Sequence, residues 1–309
     1  LPTESGTRLE REVLPGGAVM STLRGGAPGP TLALLGGVHG DEDEGVLAVW
    51  RVLREVRGVA LRGVVRAVAP ANPAAWAARG RTSPYDDGDL ARSFPGDPEA
   101  GPTAALADGI AHQVIAGSDL LIDLHSAGLR YSMPLFCGVN QEPVDGVALR
   151  AAVVFEAPMI WLHESWPPGR SLTAAMELGV PAVYVECGGG GGIRSAELDA
   201  YVTGVLSVMG DLGMVPTCRA DRRPTRWVSG SGDLDSGVAS PCAGLFSTTA
   251  VAGELMAEGS EVGRLFNYQG DLLEVVRAPR PGVLMFLRRH ARVKLGDVLF
   301  VLAVPCDGP

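Results

Sequence analysis

The chain has 309 residues, 46% of them hydrophobic, with a formal net charge of -9 and a pI near 5.1. That length suits two domains with a sizeable core, and an acidic chain without clustered Lys or Arg argues against nucleic acid as a partner. Lys294 is the only lysine, which removes Schiff-base chemistry and the phosphate-gripping lysine of a P-loop from consideration.

Five cysteines, Cys137, Cys187, Cys218, Cys242 and Cys306, are scattered without a CxxC pair. Neither a disulfide framework nor a cysteine-built zinc site is expected, and a reducing compartment is the simplest reading. No stretch approaches the roughly 20 apolar residues of a membrane helix, and LPTESGTRLE lacks the basic start and apolar run of a secretory signal. The expectation is a cytoplasmic protein without membrane partners. Homo-oligomer formation is left open.

In chain order, Thr31–Leu35 is the first apolar run that reads as a central strand. It leads through Gly-Gly-Val-His39-Gly-Asp-Glu42 into a helix over Glu42–Val56, with Val46, Val49, Trp50 and Leu53 on one stripe. A second strand is expected over Val64–Ala69. Residues 71–103 are rich in Pro, Gly, Asp and Arg without periodicity; an irregular segment of that length is functional or disordered, and function is favoured here. Arg81 and Arg92 bracket its phrase RTSPYDDGDLARSFPG. They either pair with Asp86, Asp87 or Asp89, or hold a substrate carboxylate.

Leu120–Leu124 is the next strand and ends in Asp123-Leu-His125. Asp123 either orients a ligand histidine or makes a strand-end turn. His112 and His290 read as surface residues, and His163-Glu164 as a surface turn, with pocket lining the alternative for that pair and for Arg170. Trp161 and Trp166 either wall a pocket or fill a domain interface. Ala182–Val185 is the fourth strand, followed by Glu186-Cys187 and five glycines, Gly188–Gly192. Cys187 reads as core filler. The glycines are either a flexible connection or a close passage beneath a substrate. A helix over Ser195–Met209 follows.

Strands alternating with helices predict an α/β domain with a mostly parallel or mixed sheet flanked by helices over residues 1–215. Around Val215–Arg226 the composition turns polar and basic, and residues 216–309 change to short glycine-punctuated strands. Gly244-Leu-Phe with Gly259 and Val262 is echoed by Gly282-Val-Leu with Gly296 and Val298. Two equivalent hairpins predict a small C-terminal β-sandwich or barrel.

Ligands of open α/β sheets bind beyond the C-terminal strand ends, and His39, His125 and Glu186 each follow a predicted strand. His39 and Glu42 are spaced to chelate one ion, and His125 completes the three protein ligands of a catalytic zinc site with an open position. Glu186 ends an apolar strand, where a carboxylate is expensive to bury. It is read either as a general base for the attacking water or as a carboxylate satisfied by an arginine.

GGVHGDEDEG, Asn72-Pro73, DGDLARSFPG, DLHSA and VECGG, in that order, resemble the succinylglutamate desuccinylase/aspartoacylase family of the zinc carboxypeptidase clan over nearly the whole chain. The resemblance implies one Zn2+ per chain on His39, Glu42 and His125, Glu186 as catalytic base, Arg81 as oxyanion stabiliser, and Arg92 as binder of the carboxylate of a small-molecule substrate. Ala91 stands where the family's asparagine precedes that arginine, which leaves the substrate's shape open. The implied activity is zinc-dependent hydrolysis of an N-acyl amino acid or related amide. The rivals are a carboxypeptidase or amidohydrolase acting on a peptide or natural product, and a non-catalytic metal- or ligand-binding relative. The C-terminal segment offers no suitably placed lysine for a lipoyl or biotinyl group and is expected to shape the cleft or mediate assembly.

Overall fold

The protein is described as a computed structural model at residues 6–141, 146–216, 226–230, 234 and 237–308. Cys218 and most of the basic stretch read as a domain boundary lie outside the described residues. Strands β1 (Arg8–Val13) and β2 (Val19–Arg24) form an antiparallel pair, and β3 (Ala27–Gly36) leads into α1 (Asp43–Val56). Then come β4 (Arg62–Val68), α2 (Pro73–Ala77) and α3 (Pro102–Gly109), the last prolonged by a π-helical turn over Ile110–Ile115. Next follow β5 (Leu120–Leu124), β6 (Tyr131–Ser132), β7 (Phe136–Asn140), α4 (Val147–Val154) and β8 (Met159–His163). The elements α5 (Ser171–Glu177), β9 (Ala182–Glu186), α6 (Ser195–Asp211) and β10 (Arg226–Ser229) complete this part.

The main sheet runs β1-β2-β4-β3-β5-β9-β7-β8-β10. Strands β4, β3, β5 and β9 are parallel, whereas β7 opposes β9 and begins a second parallel group with β8 and β10. The sheet is thus mixed. Helices cover both faces, which is why β5 is buried at every residue and reads as an unbroken apolar run apart from Asp123. On one face α1, α4 and α6 enclose Leu32, Leu34, Ile122 and Val183; on the other α3, the π-turn and α5 enclose Ala33, Leu35 and Leu121.

Helix α1 buries Val49, Val52, Leu53 and Val56, each worth roughly 1.5–3 kcal/mol when removed from water. Its first turn sits hard against the sheet because residue 45 is glycine: a Cβ there would collide with the Leu124 carbonyl oxygen. That close approach brings Glu42, the residue before α1, to the end of β5.

The C-terminal segment contains β11 (Val238–Ala239), β12 (Gly244–Thr248), β13 (Leu255–Met256), β14 (Glu261–Phe266) and β15 (Leu272–Arg277), then β16 (Gly282–Arg288), β17 (Arg292–Val293) and β18 (Val298–Cys306). The echoed phrases become two antiparallel pairs, β12 with β14 and β16 with β18. Phe246, Val262, Leu265, Leu284, Leu299 and Phe300 pack between them. Strand β18 also pairs with β10, so the main sheet runs on into this segment. Trp161 is fully buried along that seam with Phe136, Val228, Met285 and Phe286. It fills an interface.

Candidate active site and metal-binding group

The register across β3, β5 and β9 aligns Gly36 with Leu124 and Leu124 with Val185. The segments beyond those ends therefore emerge side by side, and the His125 N–H donates to the Val185 carbonyl at 2.8 Å. His39, Glu42, His125 and Glu186 all line one cavity of about 450 Å3 at this edge.

Glu42 occupies the N-cap position of α1 but makes no side-chain cap. Its carboxylate instead meets both histidines: Oε1 lies 2.6 Å from His39 Nδ1, and Oε2 lies 3.0 Å from His125 Nδ1. The Ser126 N–H donates to Oε2 at 3.2 Å. The three residues are buried, with ligating atoms all within 4.8 Å of one another. Two imidazoles and a carboxylate gathered out of water form a donor set suited to a divalent cation such as zinc.

Each histidine turns its other ring nitrogen to a further carboxylate. His125 Nε2 lies 3.1 Å from Asp123 Oδ2, and His39 Nε2 lies 3.4 Å from Asp89 Oδ1. Asp123 is fully buried and also accepts from the Ser171 hydroxyl. Such outer carboxylates fix ring orientation and tautomer. Asp89, weighed from the sequence only as an arginine partner, was missed in this position. It precedes a 3-10 turn at Leu90–Arg92 in the irregular segment, 50 residues from His39 in sequence, where no periodicity signals contact.

The two cavity carboxylates are pushed in opposite directions. Burial disfavours the Glu42 anion, but the His39 and His125 imidazoles outweigh it and hold the group well below the usual carboxylate range. Burial, reinforced by Glu42 and Asp123 and opposed by His125 and Arg81, pushes Glu186 up to about 8. Glu186 Oε2 is out of solvent and has no hydrogen-bond partner among the described residues. Burial also opposes the His125 cation, yet Asp123 and Glu42 raise its pKa well above the ordinary value.

Arg81 and Arg92 both line the cavity. Arg81 Nε donates to Asp89 Oδ2 at 3.1 Å, so one aspartate touches both a histidine of the metal group and this guanidinium. Arg92 and Arg170 each donate from Nη1 to the Ala91 carbonyl at 3.0 Å, which brings two positive side chains together. Ala91 itself is buried in the cavity wall.

His163 is not in a surface turn. It ends β8, is 3% exposed and lines the cavity, because β8 is an inner strand whose last residue is still covered. Burial pushes its pKa down to about 3. Glu164 and Trp166 line the cavity with it. Gly188–Gly192 follow β9 and its last residue, Glu186, by way of Cys187. Gly189–Gly191 pack on the loop that follows His125, whose Ala127 and Gly128 line the cavity: the Gly190 N–H donates to the Gly128 carbonyl, and a Cβ on Gly189 would lie 2.7 Å from that oxygen. His112 and His290 are exposed, and Cys187 is buried core.

The model of the succinylglutamate desuccinylase/aspartoacylase catalytic domain matches residues 28–212. An N-alpha-acetyl-L-2,4-diaminobutyric acid deacetylase from Halomonas elongata is 32% identical over 282 residues, covering 89% of this chain and 82% of that protein. A succinylglutamate desuccinylase structure from Silicibacter sp. superposes with a TM-score of 0.85 at 25% identity, covering 99% of this chain and 97% of that one. The product-bound ectoine utilization protein EutE (DoeB) from Ruegeria pomeroyi gives 0.83 at 27% identity, covering 93% and 88%. No described helix is long and apolar enough to cross a membrane. The chain belongs to the succinylglutamate desuccinylase/aspartoacylase family, a family of deacylases that act on small-molecule amides.

Proposed function

We propose that this protein is a zinc-dependent deacylase that hydrolyses an N-acylated amino acid or a related small carboxylate-bearing amide. The observation that carries this reading is geometric: His39, Glu42 and His125 gather their ligating atoms within 4.8 Å of one another, and Glu186 lines the same cavity with a buried Oε2 that has no hydrogen-bond partner among the described residues.

His39, Glu42 and His125 would hold the cation, which when bound supplies Lewis acidity toward the scissile carbonyl and acidifies water. Glu186 takes the proton of the attacking water and delivers it to the leaving amine nitrogen. Arg81, gripped through Nε by Asp89, offers its Nη groups to the oxygen on which negative charge develops. Arg92, with Arg170 beside it at the Ala91 carbonyl, binds the substrate carboxylate. The Halomonas relative acts on an N-acetylated diamino acid, which favours acetyl over larger acyl groups and an amino acid with a second amine. Residues 216–309 form a cleft-shaping unit in this reading, supported by Phe286 in the cavity wall.

The test is a screen of zinc-loaded protein against N-acetyl and N-succinyl amino acids beside short peptides, reading released amine. Turnover of the acyl amino acids is expected. Peptide turnover alone would make the protein a carboxypeptidase, and silence in both sets would leave a binding protein.

A further inference from the structure

The run Asp41-Glu42-Asp43-Glu44 places four carboxylates in succession, and of these only Glu42 belongs to the metal group. Asp43 is exposed and accepts from Trp76 Nε1 at 2.8 Å. The other three turn to the loop that follows β5. Asp41 Oδ2 accepts from the Leu129 N–H at 3.2 Å, Glu42 Oε2 from the Ser126 N–H at 3.2 Å, and Glu44 Oε2 from the Ser126 hydroxyl at 2.8 Å. Glu44 and Ser126 are both buried, and Glu44 Oε1 has no hydrogen-bond partner among the described residues. A carboxylate is costly to bury, so its place here calls for a role beyond solvation.

The peptide joining His125 to Ser126 is fastened on both sides. Its carbonyl accepts from the Tyr201 hydroxyl of α6 at 2.6 Å, and its N–H is the donor to Glu42. Tyr201 is fully buried, with its ring edge-on to Phe155 at a centroid distance of 6.3 Å, which holds the hydroxyl in place. On the other side the Ser126 hydroxyl is tied to Glu44. With both anchors the N–H points at one Glu42 oxygen; without them the peptide can turn and leave a buried carboxylate oxygen one donor short, the expensive outcome for a polar group out of water.

We propose that Glu44 and Tyr201 are positioning residues for metal binding, orienting the His125–Ser126 peptide so that its N–H braces the Glu42 carboxylate between the two histidines. The proposal rests on the metal reading of the site given above and deepens it. Neither residue lines the cavity, whereas His125 and Ser126 both do. Their action therefore passes through that peptide, as support from behind a ligand does.

The test measures zinc affinity by chelator competition, the visible absorption of Co2+-loaded protein, and the melting temperature of the metal-free protein. Tyr201→Phe removes one hydroxyl and Glu44→Met removes the acceptor at similar side-chain length. Each should weaken zinc binding by roughly 2- to 10-fold, the effect of one lost hydrogen bond, and shift the cobalt bands. Glu44→Gln keeps an oxygen for the Ser126 hydroxyl and should recover most of the affinity. Should Glu44→Met not fold, Tyr201→Phe and Ser126→Ala carry the same test. A lower melting temperature with zinc affinity and cobalt spectrum unchanged would mean that the two residues only pack the fold, and would overturn the proposal, as would a Glu44→Gln protein no better than Glu44→Met. Either result leaves the deacylase reading standing, whereas a wild type that takes up no zinc would overturn both.

Discussion

Glu42 Oε2 and His125 Nδ1 lie 3.0 Å apart although 83 residues separate them in the chain. The contact joins the start of α1 to the end of β5, and it exists because Gly45 lets the helix close on the Leu124 carbonyl. It also leaves the N-cap position of α1 without a side-chain cap, a change of partner that elsewhere destabilises by about 1 kcal/mol. A carboxylate released from capping is free to serve as a ligand.

From this follows the first expectation. Purified protein should carry about one zinc per chain, and His125→Ala should lose most of it, since a catalytic site with an open position has no spare protein ligand. Metal analysis of both proteins checks this. Full occupancy in the variant would remove His125 from the ligand set.

Asp89 couples the metal group to Arg81 through its two oxygens. Asp89→Asn should weaken zinc binding by roughly 10- to 100-fold, the usual effect of losing a carboxylate behind a ligand histidine. Competition with a chelator measures it. An unchanged zinc affinity would show that the 3.4 Å approach to His39 does not support the ligand.

His163 makes stability depend on pH. Its folded pKa is pushed to about 3 by burial, against about 6.5 in an unfolded chain. Between those values only the unfolded state takes up the proton. The stability from keeping His163 neutral is complete above about pH 6.5 and falls, by up to about 1.4 kcal/mol per pH unit, as the pH drops toward 3. Urea unfolding at pH 7 and pH 5 should show a loss that is smaller in His163→Gln by about 2 kcal/mol. Identical pH dependence in both proteins would contradict a buried neutral imidazole.

The Arg92 guanidinium can form two parallel bonds with a carboxylate, which lysine cannot. Arg92→Lys should therefore impair free-acid substrates more than their amidated counterparts, by about 1–3 kcal/mol for a hydrogen bond to a charged group. Kinetics on paired acid and amide substrates decide it. An equal loss on both would show that Arg92 does not read the carboxylate.

Much of the scaffold was legible because its signals are local. Leu120–Leu124 and Ala182–Val185 are apolar runs of strand length, and both strands appear with those starts. His39 and His125 stand next to such runs, so a rule about strand ends placed them at one edge. What stayed hidden depends on contacts between distant segments. The reversal at β7 and β8 is set by pairing, and two-residue strands such as β6 and β13 leave no pattern. Asp89 meets His39 only through an irregular segment. His163 looks polar enough for a turn because its burial comes from packing against Trp166 and Tyr184, which no periodicity records.

The central claim is that Glu186 moves the proton in amide hydrolysis without holding the metal. The most direct measurement is amine release from an N-acetyl amino acid by zinc-loaded wild type and Glu186→Gln, with zinc content determined on the same samples. The account predicts equal zinc content and a rate lower by roughly 10²–10⁴ in the variant, the usual contribution of a positioned acid and base. Near-normal turnover by Glu186→Gln with its zinc in place would contradict it.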